Sequence, residues 1–348
     1  MRHLTEDLPG TGGQLKALPD DFIVEEIPAY PASGEGTHLF LTVEKRGITT
    51  QEMVRRIARE LGVSPDDVGV AGQKDRQAVA RQVISVPAGD VRKAANLVLD
   101  GLRVLDAARH QNKLRTGHLR GNRFIITLRD VAADAESRAR AILGVLGGSW
   151  LPNRFGPQRF GMRGDNAEAG AQILLGKKQE YDRFRRRFLI SAFQSRLFND
   201  YLDGRMAEGL LHRVIDGDVM QRWETGGVFV SVSQDLAFNQ SRLEMRQIVP
   251  TGPMFGHKMF APGPGSPSAK REQALLEGSG VDPAVFDQFG KLAMGTRRPL
   301  LVRIEGISAR QNGDCLTLSF ALPSGSYATV LLDEVMKPST PTEHPGDN

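Results

Sequence analysis

The residues best suited to do chemistry are four consecutive polar side chains, Gln73-Lys74-Asp75-Arg76, which follow the apolar run 68–71. An apolar run that ends at a glycine, here Gly72, is typical of a strand that delivers a polar loop. Within that loop Asp75 lies between two cations, and neighbouring positive charge favours the ionised form of a carboxylate. An ionised carboxylate is what a nucleophile or a general base requires. By spacing alone, a solvated polar turn explains the same residues.

A second candidate region is a basic run that ends at Arg123, because such a run suits a phosphate backbone. It holds a single acid, Asp106, together with two histidines, His110 and His118. Its cations are Arg103, Arg109, Lys113, Arg115, Arg120 and Arg123. A solvated surface is the alternative explanation.

Aromatic residues alternate with arginines in two further stretches, 155–163 and 183–188. Stacking combined with positive charge is how proteins hold unpaired bases. The second stretch falls in the candidate helix 181–202, where the spacing of the phenylalanines favours core packing. Those phenylalanines are Phe184, Phe188, Phe193 and Phe198.

Composition excludes several classes of chemistry. The chain has 348 residues, enough for two domains, and a formal net charge of +4. Cys315 is the only cysteine, so neither an intramolecular disulfide nor a cysteine-based zinc site is possible. There is no phosphate-binding glycine loop, dinucleotide fingerprint, nucleophile-elbow serine or His-x-x-x-His pair. The chain lacks a signal-peptide core and a membrane-length apolar run, which predicts a cytoplasmic protein. Carboxylates, lysines and arginines remain to do the chemistry.

The elements that position these residues read as mixed α and β at both ends of the chain. Thr49 is a helix cap with Glu52 three residues later, and Gly62 fits the helix stop. The predicted strands are 21–26, 38–43, 68–71, 83–86, 123–128, 300–307 and 315–322, the last two joined by a turn at Asn312-Gly313. The predicted helices are 49–62, 181–202 and 324–336. After a loop-rich stretch at 147–164 the middle becomes more helical, which suggests a domain interrupted by an insertion.

The run Gly72-Gln73-Lys74-Asp75-Arg76-Gln77-Ala78-Val79 closely resembles the catalytic motif of the tRNA pseudouridine synthase D family. Other stretches are similar to that family in the same order. They are Leu15-Lys16-Ala17 with Asp21-Phe22-Ile23-Val24-Glu25, then Gly121-Asn122-Arg123-Phe124, then the run 152–161 (PNRFGPQRFG), and finally Leu322-Pro323-Ser324-Gly325-Ser326-Tyr327-Ala328-Thr329. The resemblance extends from about Lys16 to Met336, and ordered motifs are far more specific than any single one.

The resemblance implies a V-shaped α+β protein. Its catalytic domain would have the pseudouridine-synthase fold, a mixed, largely antiparallel sheet with flanking helices, over 1–150 and 304–337. A family-specific, mostly helical domain would be inserted at 151–303, and 338–348 would form a disordered tail. The implied substrate is uridine 13 of tRNA, in the D arm, with no metal or cofactor. We also expect a monomer that needs neither a membrane nor an obligate protein partner.

The same resemblance implies roles for individual residues. Asp75 matches the catalytic aspartate, and Lys16 matches a basic residue that holds Asp75 charged, although a phosphate contact suits Lys16 equally well. The positions that line the uridine pocket are matched by Phe22, Asn122 and Tyr327. Phe124 would wedge or stack beside them, unless it is simply a core residue of its strand. Expected contacts to the RNA backbone are Arg109, Lys113, Arg115, Arg154 and Arg159.

Two other functions fit the residues. One is a non-catalytic RNA-binding protein or RNA chaperone on the same scaffold. The other is a hydrolase of glycosidic bonds, which needs a second carboxylate paired with the first. Glu25 and Glu26 are the candidates for that second carboxylate.

Overall fold

The computed structural model describes residues 3–337, and these form two compact units. The outer unit consists of His3–Trp150 together with the chain from Arg303 onward, and the inserted unit is Leu151–Val302. The expected tail, 338–348, lies outside the described residues.

Sixteen strands and nine α-helices are found in the described part of the chain. The strands are β1 Gly12–Gln14, β2 Phe22–Pro28, β3 His38–Arg46, β4 Gly69–Val70, β5 Val79–Pro87, β6 Val98–Leu99, β7 Leu102–His110, β8 Leu119–Val131, β9 Leu151–Pro152, β10 Val219–Arg222, β11 Val228–Val230, β12 Ile248–Met254, β13 Thr296–Pro299, β14 Leu301–Val302, β15 Glu305–Asn312 and β16 Cys315–Pro323. The helices are α1 Thr50–Leu61, α2 Val91–Ala95, α3 Ala135–Ser149, α4 Asn166–Leu174, α5 Arg183–Ala207, α6 Leu236–Glu244, α7 Pro267–Gly278, α8 Val285–Phe289 and α9 Ala328–Met336.

The outer unit is built on one ten-stranded sheet in the order β15-β16-β8-β2-β5-β3-β7-β6, with β1 beside β8 and β4 beside β5. Strands β2 and β5 are parallel, and the other pairs in this sheet are antiparallel. The sheet is therefore mixed and largely antiparallel, and with its helices it confirms the predicted α+β class.

Helix α1 forms where the sequence predicts it. The Thr49 hydroxyl accepts a hydrogen bond from the Glu52 amide at 3.1 Å, and Gly62 ends the helix in the left-handed conformation, with φ of +70°. The apolar side of α1, centred on Met53 and Ile57, packs against Leu41 and other alternating residues of β3. This packing fixes one end of the sheet face on which the polar loop lies.

The inserted unit combines helices with a four-stranded sheet, β11-β10-β12-β13, which the sequence patterns did not reveal. Its long helix α5 packs closely on α4, where a side chain at Gly170 would collide with the backbone of Leu189. The first and last residues of this unit pair with each other, Leu151 with Val302 and Pro152 with Leu301. The insertion therefore begins and ends at adjacent strands.

Some predicted elements were wrong in detail. The single strand predicted at 300–307 is two strands, β14 and β15, which belong to different units. Phe184 was predicted to be a core residue but is 82% exposed, because it precedes the part of α5 that packs on neighbouring elements. Within the described residues, no helix is long and apolar enough to cross a membrane.

Candidate active site

The polar loop that carries Asp75 is fixed at both ends by backbone contacts. The Ala71 carbonyl, just before the loop, accepts a hydrogen bond from Gly117 N at 2.9 Å. The Asp75 carboxylate accepts one from Gln77 N at 3.1 Å, which tightens the turn into β5. The loop is therefore an ordered turn with a defined direction for Asp75.

Two lysine side chains hold this loop against the sheet. Lys45 is fully buried, and its ammonium donates to the carbonyl oxygens of Asp75 and Ile48, both at 2.7 Å. The ammonium of Lys74 lies 2.7 Å from Glu26 Oε1, and these two side chains are 6% and 1% exposed. A buried charge persists only with such partners, so the backbone on both sides of the Asp75 side chain is held in place.

A third lysine contacts the carboxylate itself. Lys16 Nζ forms an ion pair and hydrogen bond with Asp75 Oδ2. The side chains of Lys16 and Asp75 are 16% and 25% exposed, so water screens this pair less than a surface pair. The structure thus brings together the two residues that the motif comparison singled out as catalytic.

The segment that carries Lys16 is itself strained and anchored. Lys16 has a φ of +59°, a left-handed conformation that costs energy for a non-glycine residue. A few residues on, Asp21 accepts two hydrogen bonds of 2.8 Å from Arg129 and one of 2.8 Å from Leu18 N. The Arg129 hydrogen bond holds the pKa of Asp21 below its ordinary value, against the opposing effect of burial. This carboxylate ties the Lys16 segment to β8.

Strand register places the remaining pocket residues on one face of the sheet. Paired residues of neighbouring strands point to the same side, and β2 pairs Val24 with Phe124 and Glu26 with Asn122. Phe22 shares that face through the alternation along β2. The face includes Phe22, Glu26, Gln82, Asn122 and Phe124.

The aromatic residues of this face are already packed. The Phe22 and Phe124 rings meet edge to face at 6.1 Å, and Phe124 stacks on Phe320 at 5.3 Å. The Lys16 ammonium lies 4.8 Å from the centre of the Phe22 ring. Phe22 and Phe124 are only 6% and 7% exposed, so Phe124 packs as a core residue here. The Lys16 ammonium therefore lies over one face of the Phe22 ring.

Beside the aromatics, two amides retain free hydrogen-bonding capacity. Asn122 Oδ1 and Gln82 Nε2 are buried, and neither atom has a hydrogen-bond partner among residues 3–337. They flank Glu26 in a row across β8, β2 and β5. A buried polar atom without a partner is costly, so these two atoms are candidates to bind a ligand.

Tyr327 lies at the same end of the sheet as Asn122. It caps the N-terminus of α9, four residues after β16 ends at Pro323, and Pro323 pairs with Gly121 beside Asn122. Its side chain is half-buried. The fold therefore places Tyr327 beyond the strand that borders Asn122.

The basic run 103–123, which begins within β7, is partly exposed on the outer unit. Arg109 and Arg115 are exposed, and Arg109 donates a hydrogen bond of 3.3 Å to the Gly36 carbonyl. Lys113 is half-buried, with its ammonium 2.5 Å from the Asp66 carbonyl. Arg109 and Arg115 thus present charge to solvent, whereas Lys113 is partly engaged.

The two expected backbone contacts of the inserted unit differ from each other. Arg154 is 4% exposed and forms a two-pronged ion pair with Asp203. We therefore do not retain it as a phosphate contact, because its charge is neutralised inside the unit. Arg159 is half-buried, and it donates to the Ser191 hydroxyl at 2.5 Å and to the Ser195 hydroxyl at 3.2 Å.

The hydrolase alternative loses its second carboxylate in this arrangement. Glu25 forms an ion pair with Arg81 on the opposite face of the sheet from Phe22 and Glu26. Glu26 is committed to Lys74. Neither carboxylate resembles the freely placed partner that glycosidic hydrolysis needs.

Sequence reasoning missed Lys45 and the Lys74–Glu26 pair. A signal for Lys45 was present, because it continues the alternating series Leu39, Leu41 and Val43, all buried residues of β3. A charged residue at an inward position of a strand requires a buried partner. The partner of Lys74 could not be identified, because it depends on how the loop folds over the sheet.

Comparisons with known proteins identify the family of this chain. The family model for tRNA pseudouridine synthase D (TruD) matches residues 1–184 and 179–335. A tRNA pseudouridine synthase D of Anaeromyxobacter sp. (strain Fw109-5) is 45% identical over 342 residues, which cover 96% of this chain and 95% of that protein. The protein of the same name from Thermus thermophilus is 42% identical, with 96% of this chain and 91% of that protein covered.

A solved structure gives the same result. The crystal structure of the putative tRNA pseudouridine synthase D from Methanosarcina mazei superposes with a TM-score of 0.76 and 26% identity, covering 95% of each chain. The matches extend over the outer and inserted units and include the loop that carries Asp75. The chain therefore belongs to the tRNA pseudouridine synthase D family of RNA-modifying isomerases.

Proposed function

We propose that this enzyme converts uridine 13 of tRNA to pseudouridine and that Asp75 is its catalytic carboxylate. The observation that carries the proposal is the setting of Asp75: Lys16 contacts its carboxylate, and Lys45 holds its backbone carbonyl. A nearby ammonium stabilises the ionised carboxylate, and a fixed backbone keeps it in one direction.

The reaction is an isomerisation and requires no external reactant. The bond between C1′ and N1 breaks, the uracil turns, and C5 bonds to C1′. The C5 proton is released and N1 gains a proton, so atoms and charge balance. An ionised Asp75 serves three routes, which are attack on C1′, removal of the 2′ proton to give a glycal, and addition to the base.

Each pocket residue has its own role in this proposal. The buried oxygen of Asn122 accepts a hydrogen bond from an N–H of the uracil, since it has no partner among the described residues. Phe22 provides a ring surface for the base, and Phe124 supports Phe22 from its edge. Tyr327 contacts the target base or its neighbour. Stacking offsets the few kcal/mol (about 2–4) that extrusion of a base costs.

The tRNA backbone is held by exposed cations of the outer unit, chiefly Arg109 and Arg115, with Lys113 beside them. Each phosphate contact of this kind adds affinity that falls as salt rises. We further propose that the enzyme acts in the cytoplasm as a monomer without a protein partner. Light scattering during gel filtration, which gives the mass in solution, tests the oligomeric state.

The test is the Asp75→Asn variant, assayed on unmodified tRNA by carbodiimide mapping of pseudouridine. We expect tRNA binding to remain and the rate of pseudouridine formation to fall by about 10³-fold or more, as for the loss of a nucleophile. Asp67→Asn, an exposed aspartate just before β4, is the matched control and keeps full activity. A tRNA with cytidine at position 13 should gain no pseudouridine.

Full activity of Asp75→Asn would disprove the assignment of Asp75. Pseudouridine at another position would leave the chemistry intact but refute the site in tRNA. Intact protein that binds tRNA and yields no pseudouridine would support the non-catalytic RNA-binding alternative.

A further inference from the structure

Two aromatic side chains, one just before α5 and one in its first turn, project into solvent. Tyr181 and Phe184 are 90% and 82% exposed. Large aromatic side chains are ordinarily buried in part, and exposure of two neighbouring ones has an unfavourable hydration free energy. Packing within the protein does not account for either ring.

The same segment has the densest positive charge in the inserted unit. Residues 177–188 contain six basic side chains and two acids, Glu180 and Asp182. The local excess of four positive charges equals the formal net charge of the whole chain. The basic side chains are Lys177, Lys178, Arg183, Arg185, Arg186 and Arg187, all exposed except the half-buried Arg186.

Both acids of the segment are engaged locally. Asp182 caps α5 by accepting a hydrogen bond of 2.6 Å from Arg185 N, and Glu180 lies 3.2 Å from the Arg185 guanidinium. Arg185 is thus partly neutralised. The remaining exposed cations of the segment are available to phosphates.

Phe184 extends a stripe of α5 residues that an arginine side chain already covers in part. On an α-helix, Phe184, Phe188 and Ser191 lie on one face, since positions four and seven apart align. The Arg159 guanidinium covers the lower part of this face, at 5.2 Å from the Phe188 ring and 2.5 Å from the Ser191 hydroxyl. Phe184 is the next ring along the stripe, and its face is open.

We propose that the segment 177–188 is a second RNA-contact surface, which binds unpaired nucleotides of the tRNA substrate outside the catalytic pocket. Bases stack on Tyr181 and Phe184, while Lys177, Arg183 and Arg187 contact the adjoining phosphates. The choice of tRNA as the partner rests on the proposed function. Alternating rings and cations favour RNA over an anionic membrane, since only nucleic acid supplies flat bases between its phosphates.

The test compares tRNA binding by the double variant Tyr181→Ala/Phe184→Ala with that of the parent. Both proteins carry Asp75→Asn, so that binding of labelled tRNA is measured by anisotropy without turnover. We expect Kd to rise about 5- to 150-fold for each stacked base that is lost. In protein that keeps Asp75, the double variant should show a higher KM, while kcat at saturating tRNA should stay within about twofold of the parent. The reason is that the lost contacts bind the substrate and the transition state equally.

Charge is tested separately with Arg183→Gln/Arg187→Gln. Each lost phosphate contact on single-stranded RNA should reduce the slope of log Kd against log salt by about 0.7. The matched controls are Phe238→Ala, an exposed ring on α6, and Lys270→Gln on α7. Placing Trp instead of Ala at position 184 (Phe184→Trp) should keep tRNA binding close to that of the parent, because tryptophan also offers a stacking face.

The proposal is overturned if the double variant, with an unchanged unfolding temperature, binds tRNA as tightly as the parent. An equal loss in the Phe238→Ala control would also overturn it. Binding of the parent, but not the variant, to vesicles rich in phosphatidylserine, with tRNA affinity unchanged, would assign the segment to a membrane. If Asp75→Asn kept full activity, the proposed role of Asp75 would be wrong, but the comparison of tRNA binding between parent and variant would still test this surface.

Discussion

Buried charge occurs in both units, but its partners differ. In the inserted unit, Arg205 is fully buried and donates to Asp218 Oδ1 at 2.8 Å and to the Arg213 carbonyl at 2.6 Å. Arg297 donates to both carboxylate oxygens of Glu272, at 2.7 and 3.0 Å. Burial raises the pKa of Glu272, and the facing guanidinium opposes that rise. Each of these charges has its partners within the unit.

In the outer unit the Lys74–Glu26 pair lies beside two buried amide atoms that have no partner in the described chain, Asn122 Oδ1 and Gln82 Nε2. A satisfied polar network specifies a structure, whereas an incomplete one is unfavourable unless something else completes it. Around Arg205 and Arg297, buried charge in the inserted unit is fully paired and stabilises the fold. Around Lys74 and Glu26, two buried amide atoms stay unpaired within the described chain, at the place where we propose that substrate binds.

The largest effect on stability should follow from Arg205→Met. This change leaves Asp218 buried without its guanidinium, and loss of one partner of a buried pair costs about 3–5 kcal/mol. Urea unfolding measures the loss. The control is Arg271→Met, which breaks a more exposed pair with Glu208 and should cost about 1 kcal/mol or less. Equal losses would contradict a structural role for the buried network.

The second prediction concerns Lys74→Met, which strands Glu26 beneath the Asp75 loop. We expect a stability loss of about 3 kcal/mol, and a fall in kcat without a change in tRNA affinity. In the double variant Lys74→Met/Glu26→Met, stability should recover because no unpaired charge remains, yet kcat should stay low because the loop has lost its anchor. Recovery of kcat along with stability would show that the pair does not position Asp75.

The third prediction is a pH dependence at Asp21, whose pKa is lowered from 3.8 chiefly by the Arg129 hydrogen bond. Because the folded-state pKa lies below the unfolded one, this pair contributes its full stability above about pH 4 and loses it as pH falls through the folded-state value. Asp21→Asn should therefore cost about 1.5–3 kcal/mol at pH 7 and less at pH 3. Urea unfolding at both pH values measures this. A constant difference would contradict the linkage.

The smallest effect should have the opposite sign. Asn122→Leu removes a buried oxygen that has no partner among residues 3–337, so we expect the protein to gain roughly 1 kcal/mol of stability while KM rises. Asn153→Leu is the contrasting control, because the Asn153 amide bonds to Arg298 and to the Pro299 carbonyl, and its loss should destabilise. Thermal unfolding with KM measurements distinguishes the two. Destabilisation by both changes would remove the distinction between the networks.

Local signals in the sequence predicted much of the outer unit. The cap at Thr49 and the stop at Gly62 fixed α1, and alternation predicted the central strands. The contact between Lys16 and Asp75, 59 positions apart, followed only from the resemblance to a family. Its cause is tertiary, since Lys16 reaches Asp75 through a left-handed backbone that no propensity favours.

The inserted unit was predicted less well for a related reason. Periodicity located α5 but gave no measure of how far its packing extends, so Phe184 was placed in the core. The density of arginines suggested an RNA contact at Arg154. Its charge is instead neutralised by Asp203, which lies near the C-terminal end of α5. Whether an arginine faces solvent or a carboxylate depends on contacts between distant segments.

The pairing of β8 with β16 has a consequence for how the protein is made. Phe124 lies opposite Phe320, and the whole inserted unit is encoded between them. As the chain leaves the ribosome, 151–302 is available to fold while β8 still lacks the neighbour on one side. Residues 177–188 are therefore translated before β16 is available to pair with β8. The last segment of the outer unit to be translated therefore carries Tyr327, which we propose as a pocket residue.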